Sequence, residues 1–204
     1  MSITLFIILF TVLISVTAFR NVELFDKLKL NSYMVAKKKE YYRMVSHTFL
    51  HADWMHLIFN MITMYFFGEY AELQIKANFG AGSVLFVGLY LFGGVVATLP
   101  SVIKHKNDHW YNSVGASGAV AAVLFTSILF DPWMGIQFYF IPIPIPGFIF
   151  GVAYLVYSQY MSSKSRDNIN HDAHFAGAVF GFIFPVILKP TLIHTFIINL
   201  TGGY

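Results

Sequence analysis

A serine hydroxyl attacks a carbonyl only when a base within hydrogen-bond reach can take its proton. The reaction also needs donors placed where the oxyanion forms. One set of residues in this sequence meets both demands. Ser117 lies in Gly115-Ala116-Ser117-Gly118, and His174 lies in Ala173-His174-Phe175-Ala176-Gly177. His56 and Asn60 follow His51 and are i, i+4 neighbours, so on a helix they share a face. Ser117 would be the nucleophile and His174 the base. The Ser117 amide at a helix N-terminus, with His56 and Asn60, would supply the donors. The chemistry is acyl transfer. Taken singly, each residue has a plainer reading: small residues pack helices, and a histidine or a His–Asn pair can bridge them. The joint pattern is more specific, because all three motifs fall at equivalent ends of three helices.

Those helices are membrane spans. Of 204 residues, 57% are hydrophobic and 11% charged, against about 25% charged in soluble domains. A soluble enzyme and a disordered regulator are excluded on these figures. So is a nucleic-acid binder, since the net charge is only +3. A span needs about 20 apolar residues, and six hydrophobic stretches approach that length: 3–19, 54–68 extending to 72, 82–103, 111–130, a fifth from 147, and 173–188. The Ile-Pro run at 141–146 cannot be helix interior, so 133–146 reads as a re-entrant or interfacial connection. Val16-Thr17-Ala18 resembles a cleavage site, but no basic segment precedes the first stretch, which reads as a permanent helix. The fold class expected is an all-α membrane protein, a six-transmembrane-helix bundle forming one domain over 1–204.

Six spans run the second, fourth and sixth helices in one direction and bring their starts to one face. His56 and Asn60, Ser117, and His174 all occupy those starts. Gly177 and Gly181 have GxxxG spacing, and Gly118, Ala121 and Ala122 follow Ser117. Small residues let membrane helices approach closely, as a Ser–His pair requires.

The other polar residues carry less. His47/His51 and His171/His174 have helical spacings that zinc can use, but the sequence has no HExxH and no Cys. No metal site and no cofactor are expected. Asp172 lies two residues before His174 and so points to another face, which predicts a dyad and not a triad. His105, His109 and His194 read as loop or interface residues. Glu69 and Glu72 read as structural.

The residues together resemble the rhomboid family of intramembrane serine proteases over a core of about 41–188. The resemblance rests on Tyr42-Arg43, His47-Thr48-Phe49-Leu50-His51, His56 to Asn60, Gly115-Ala116-Ser117-Gly118, and Ala173-His174 with Gly177 and Gly181. Tyr42 stands where the family commonly has Trp, and Tyr also suits a membrane interface. The resemblance implies a rhomboid-like bundle with Ser117 as nucleophile and His174 as base. His56, Asn60 and Gly115 would form the oxyanion and substrate-binding site, and Glu72 would be a structural glutamate. It implies cleavage of transmembrane protein substrates near the bilayer surface, with a fifth helix acting as a lateral gate. The alternative is a catalytically inactive rhomboid-like client-binding protein. Its usual mark is loss of the Ser or the His, and both are present.

The expected location is the cell (plasma or inner) membrane, with lipid and membrane proteins as partners and no nucleic acid. Orientation is contested. Arg20, Lys27, Lys29, Lys37, Lys38, Lys39, Arg43, Lys104, Lys106, Lys164 and Arg166 fall on the active-site face, against Lys76 and Lys189 on the other. The positive-inside rule puts that face in the cytosol; the resemblance puts it outside.

Overall fold

The computed structural model describes residues 1–138, 141–164 and 169–202. Arg166 and the 139–140 part of the predicted 133–146 connection lie outside the described residues. The order is α1 (Ile3–Phe19), α2 (Val22–Leu28), β1 (Leu30–Asn31), α3 (Ser32–Lys38), α4 (Arg43–Ser46), a 3₁₀ turn (His47–Phe49), α5 (Trp54–Asn78), α6 (Gly82–Lys104), β2 (Asn112–Ser113), α7 (Ser117–Phe130), β3 (Gly135–Phe138), β4 (Ile141–Pro146), α8 (Gly147–Lys164), α9 (His171–Leu188) and α10 (Thr191–Thr201).

In α1 the inside and outside are exchanged relative to a protein folded in water. Thr4, Thr11 and Ser15 are fully buried, while Phe6 and Leu13 are 56% and 63% exposed. Val152 and Val156 on α8 and Ile187 on α9 are also mostly exposed. A continuous apolar exterior of this kind is stable against lipid and not against water. By length and composition, α6 and α9 are long and apolar enough to cross a membrane.

Helix α7 is the centre. Every residue from Gly118 to Leu129 is buried, as expected of a helix apolar on all sides. α5, α6, α8 and α9 surround it, and α9 makes the most extensive contact. Glycines set the crossings. A Cβ on Gly177 would lie 2.2 Å from the Gly118 carbonyl oxygen, and one on Gly181 would lie 2.0 Å from that of Ala122. The two backbones therefore touch, as the small-residue spacing predicts. α1 is fixed to α5 by Glu72, whose carboxylate accepts from the Ile3 N–H at 3.0 Å and from the Thr4 N–H and hydroxyl at 2.8 Å each. A carboxylate there meets the free N–H groups and positive pole of α1.

One segment differs from the sequence expectation, and the proline-rich connection takes a defined form. The fourth helix starts at Ser117 and not at 111: Asn112–Ser113 pairs antiparallel with Leu30–Asn31, and Gly115 has φ +130°. The stretch is apolar enough for helix but is held extended by this pairing. Within the connection at 133–146, β3 pairs antiparallel with β4. Prolines at alternate positions are tolerated in an edge strand, where every second N–H points away from the partner. The first loop is also folded. Arg43 donates to the carbonyls of Asp26 and Lys29 at 2.8 and 2.9 Å and pairs with Glu40 at 2.6 Å.

Candidate active site

A cavity of about 1010 Å³ lies at the end of the bundle where α5, α7 and α9 begin and α6 and α8 finish. Ser117, His174, His56, Asn60 and Gly115 all line it. Five residues from three separate stretches of sequence thus meet in one space.

Ser117 is the first residue of α7, so its amide is one of the helix's unpaired N-terminal donors. The preceding turn is held by the first loop: the Gly115 N–H donates to the His47 carbonyl at 3.1 Å. Gly115 is required there twice over. Its φ is unfavourable for residues with a side chain, and a Cβ would lie 2.7 Å from the His56 ring. The same point is 3.8 Å from the Ser117 Oγ. His56 and Ser117 therefore face each other across the space that the missing Cβ leaves open.

The His56 ring is oriented from its own helix. Asp53 caps α5, accepting from the His56 N–H at 2.8 Å, and the Ala52 N–H approaches His56 Nδ1 at 3.5 Å. An acceptor role for Nδ1 places the proton on Nε2. Asn60 is buried and donates one Nδ2 hydrogen to the His56 carbonyl at 2.9 Å, which leaves its second Nδ2 hydrogen for the cavity.

His174 lies in the first turn of α9, whose N-cap Asn170 accepts from the Ala173 N–H at 3.1 Å. The helix crossing brings its turn against the start of α7, and both His174 and Ser117 line the cavity. Gly118, next to Ser117, sits against the Ala173 carbonyl and against Gly177. On its other side the His174 ring stacks on Tyr154 of α8, with centroids 6.1 Å apart and planes 20° from parallel. Asp172 is turned elsewhere: it accepts from the Ser162 hydroxyl and pairs with Lys104 at 3.6 Å. That agrees with the different helix face read from its position.

Two contributors escape a reading of the sequence for chemistry. Tyr154 is a tyrosine in an aromatic-rich span, with no spacing that links it to His174. Asp53 looks like an ordinary N-cap. His51, fully buried, bridges α1 to the serine turn: Ser15 Oγ donates to the Phe49 carbonyl at 2.8 Å and meets His51 Nδ1 at 3.0 Å, while the Ala116 N–H approaches His51 Nε2 at 3.5 Å. His47 is buried too, its Nδ1 donating to the Arg43 carbonyl at 3.1 Å. Burial pushes His47 down to about 4 and His51 down to about 3, so both are neutral bridging groups. Among the described residues, no three His, Asp or Glu side chains converge as metal ligands would.

A family model for the rhomboid domain matches residues 38–191. The chain is 32% identical over 173 residues to the chloroplastic rhomboid-like protein 11 of Arabidopsis thaliana, covering 77% of this chain and 56% of that protein. It is 27% identical over 168 residues to the mitochondrial RHOMBOID-like protein 12 of the same plant, covering 73% and 48%. It is 26% identical over 148 residues to the putative rhomboid protease YdcA of Bacillus subtilis, covering 71% and 65%. The chain spans about half the length of the two plant proteins.

Proposed function

Because the chain belongs to the rhomboid family, we propose that it is an intramembrane serine endopeptidase that cuts transmembrane protein substrates. The observation that carries the reading is the meeting of Ser117, His174, His56, Asn60 and Gly115 in one cavity, at a backbone crossing made by Gly118 and Gly177. His174 takes the Ser117 proton as Oγ bonds to the substrate carbonyl carbon, and the carbonyl π electrons move to oxygen. The Ser117 N–H, His56 Nε2–H and Asn60 Nδ2–H receive that oxyanion. As the C–N bond breaks, His174 passes its proton to the leaving amine. Water then attacks the acyl carbon while His174 takes its proton, and that proton passes to Ser117 Oγ as the ester bond breaks, which releases the acid product and restores the free serine and neutral base. His174 works as half of a dyad, positioned by Tyr154.

In this reading α1 and α5 to α9 are the six spans. α7 has 14 residues and is about 21 Å long, against a hydrocarbon core of about 30 Å. With its far end at the opposite interface, Ser117 sits well below the near surface and the cavity is its water path. The site of action is the cell membrane.

Fluorophosphonate labelling in detergent tests the reading directly. Wild type should label covalently, and Ser117→Ala and His174→Ala should not. A folded, monodisperse wild type that never labels overturns the proposal. Capture of membrane clients without cleavage would then identify the inactive, client-binding alternative.

A further inference from the structure

Four formally charged side chains line the cavity: Lys29, Asp53, Lys104 and Asp172. Three are already neutralised. Lys29 pairs with Asp26 at 2.7 Å, and Lys104 pairs with Asp172 at 3.6 Å. Asp53 is exposed and has no cationic partner among the described residues. One carboxylate oxygen accepts the His56 N–H at 2.8 Å, and Asp53 lines the cavity. A helix cap needs a single acceptor, and Asn or Ser would serve as well. The charge at this position is therefore surplus to the cap.

It also stands close to the proposed chemistry. Asp53 lies three residues before His56, about 5 Å along the axis of α5, and the His56 ring borders the space beside Ser117. A substrate drawn out in extended conformation at Ser117 advances about 3.3 Å per residue. Asp53 is then within reach of a side chain about two to four residues from the cut.

We infer that Asp53 is a specificity-determining residue: it selects membrane substrates that carry a lysine or arginine within about four residues of the scissile bond and disfavours those with an acidic residue there. The inference rests on the protease reading. Lysine and arginine suit the place, because their aliphatic stems can lie along apolar surface while the cationic head reaches a polar rim.

The test uses the full chain in a neutral detergent and a reporter membrane-spanning substrate. One Lys, Gln or Glu is moved through each position within about four residues of the cut. At one or two adjacent positions kcat/KM should favour Lys over Glu by about tenfold, with Gln between. Raising salt to about 0.5 M should shrink that ratio. Asp53→Asn and Asp53→Ser keep a cap acceptor, and each should bring the ratio to within about twofold of unity. A ratio that cancels any general loss of rate reads selection alone. If both variants keep the wild-type ratio, or the wild type shows no charge preference at any position, the inference is overturned while the protease reading stands. If the wild type cleaves nothing and does not label at Ser117, both fall together.

Discussion

Gly177→Ala puts one methyl group between the two helices that carry the proposed dyad. The new Cβ would lie 2.2 Å from the Gly118 carbonyl oxygen, where ordinary contact begins at 3.4 Å, so the backbones must part by the difference of 1.2 Å. The obstacle is backbone, which has no rotamer to change. Gly118 adjoins Ser117 and His174 is less than one turn before Gly177, so the separation falls on the Ser–His pair itself. A displacement of about 1 Å costs about 100-fold in rate, or about 2.7 kcal/mol of barrier. Overpacking costs a further 1–3 kcal/mol or so of stability. The assay is the second-order rate of fluorophosphonate acylation per folded molecule, read beside Tm in the same detergent. Gly88→Ala is the control, because its Cβ would meet only the Phe92 ring, at 3.7 Å. That variant should acylate normally and be unchanged or slightly more stable. Wild-type acylation by folded Gly177→Ala would refute the crossing as the device that joins serine to base.

Gly115→Ala should lower acylation by about two orders of magnitude with a smaller effect on Tm, because it strains a positive φ and displaces the His56 ring. Glu72→Ala should have the opposite signature: a stability loss of about 2–4 kcal/mol, from N–H groups of α1 left uncapped, with near-normal acylation by the molecules that remain folded. Stability should fall on acidification. His47 and His51 are held neutral, down to about 4 and about 3, whereas the unfolded chain binds those protons below about 6.5. Their contribution is complete above that value and is lost as pH falls towards the folded pKa values. Between pH 7 and 5 each should cost about 2 kcal/mol, and a His47→Asn, His51→Gln double variant should flatten the decline in Tm over that interval.

What the sequence made legible is what local chemistry controls. The first helix begins where Ser2 can cap it, accepting from the Leu5 N–H. The Ile-Pro run forces α8 to begin at Gly147. The small residues after Ser117 and His174 announce a close crossing. What was illegible depends on distant partners. Residues 111–116 look like helix, and β1, about eighty positions earlier, holds part of them extended. α2 is tied to α4 by Arg43, a residue with no local pattern to advertise its carbonyl partners at Asp26 and Lys29. α10 lies beyond Lys189-Pro190, which stops one helix and equally well begins another. Alternation of Ile and Pro is a strand period, and its pairing depends on β3 opposite. His51 is the sharpest case: its spacing from His47 fits a metal site, and only the fold shows both ring nitrogens committed to Ser15 and Ala116.

The shortness of α7 has a further consequence. Because it is packed on every side, the level of its first residue is set by the whole bundle. On the protease reading, Ser117 is then the fixed mark of a ruler whose zero is the membrane surface. A substrate would be cut at a set depth from where its own span leaves the lipid, while nearby side chains such as those facing Asp53 set how fast. Moving that exit point by one residue should move the cut by one residue, and a thicker bilayer should shift it along the same chain.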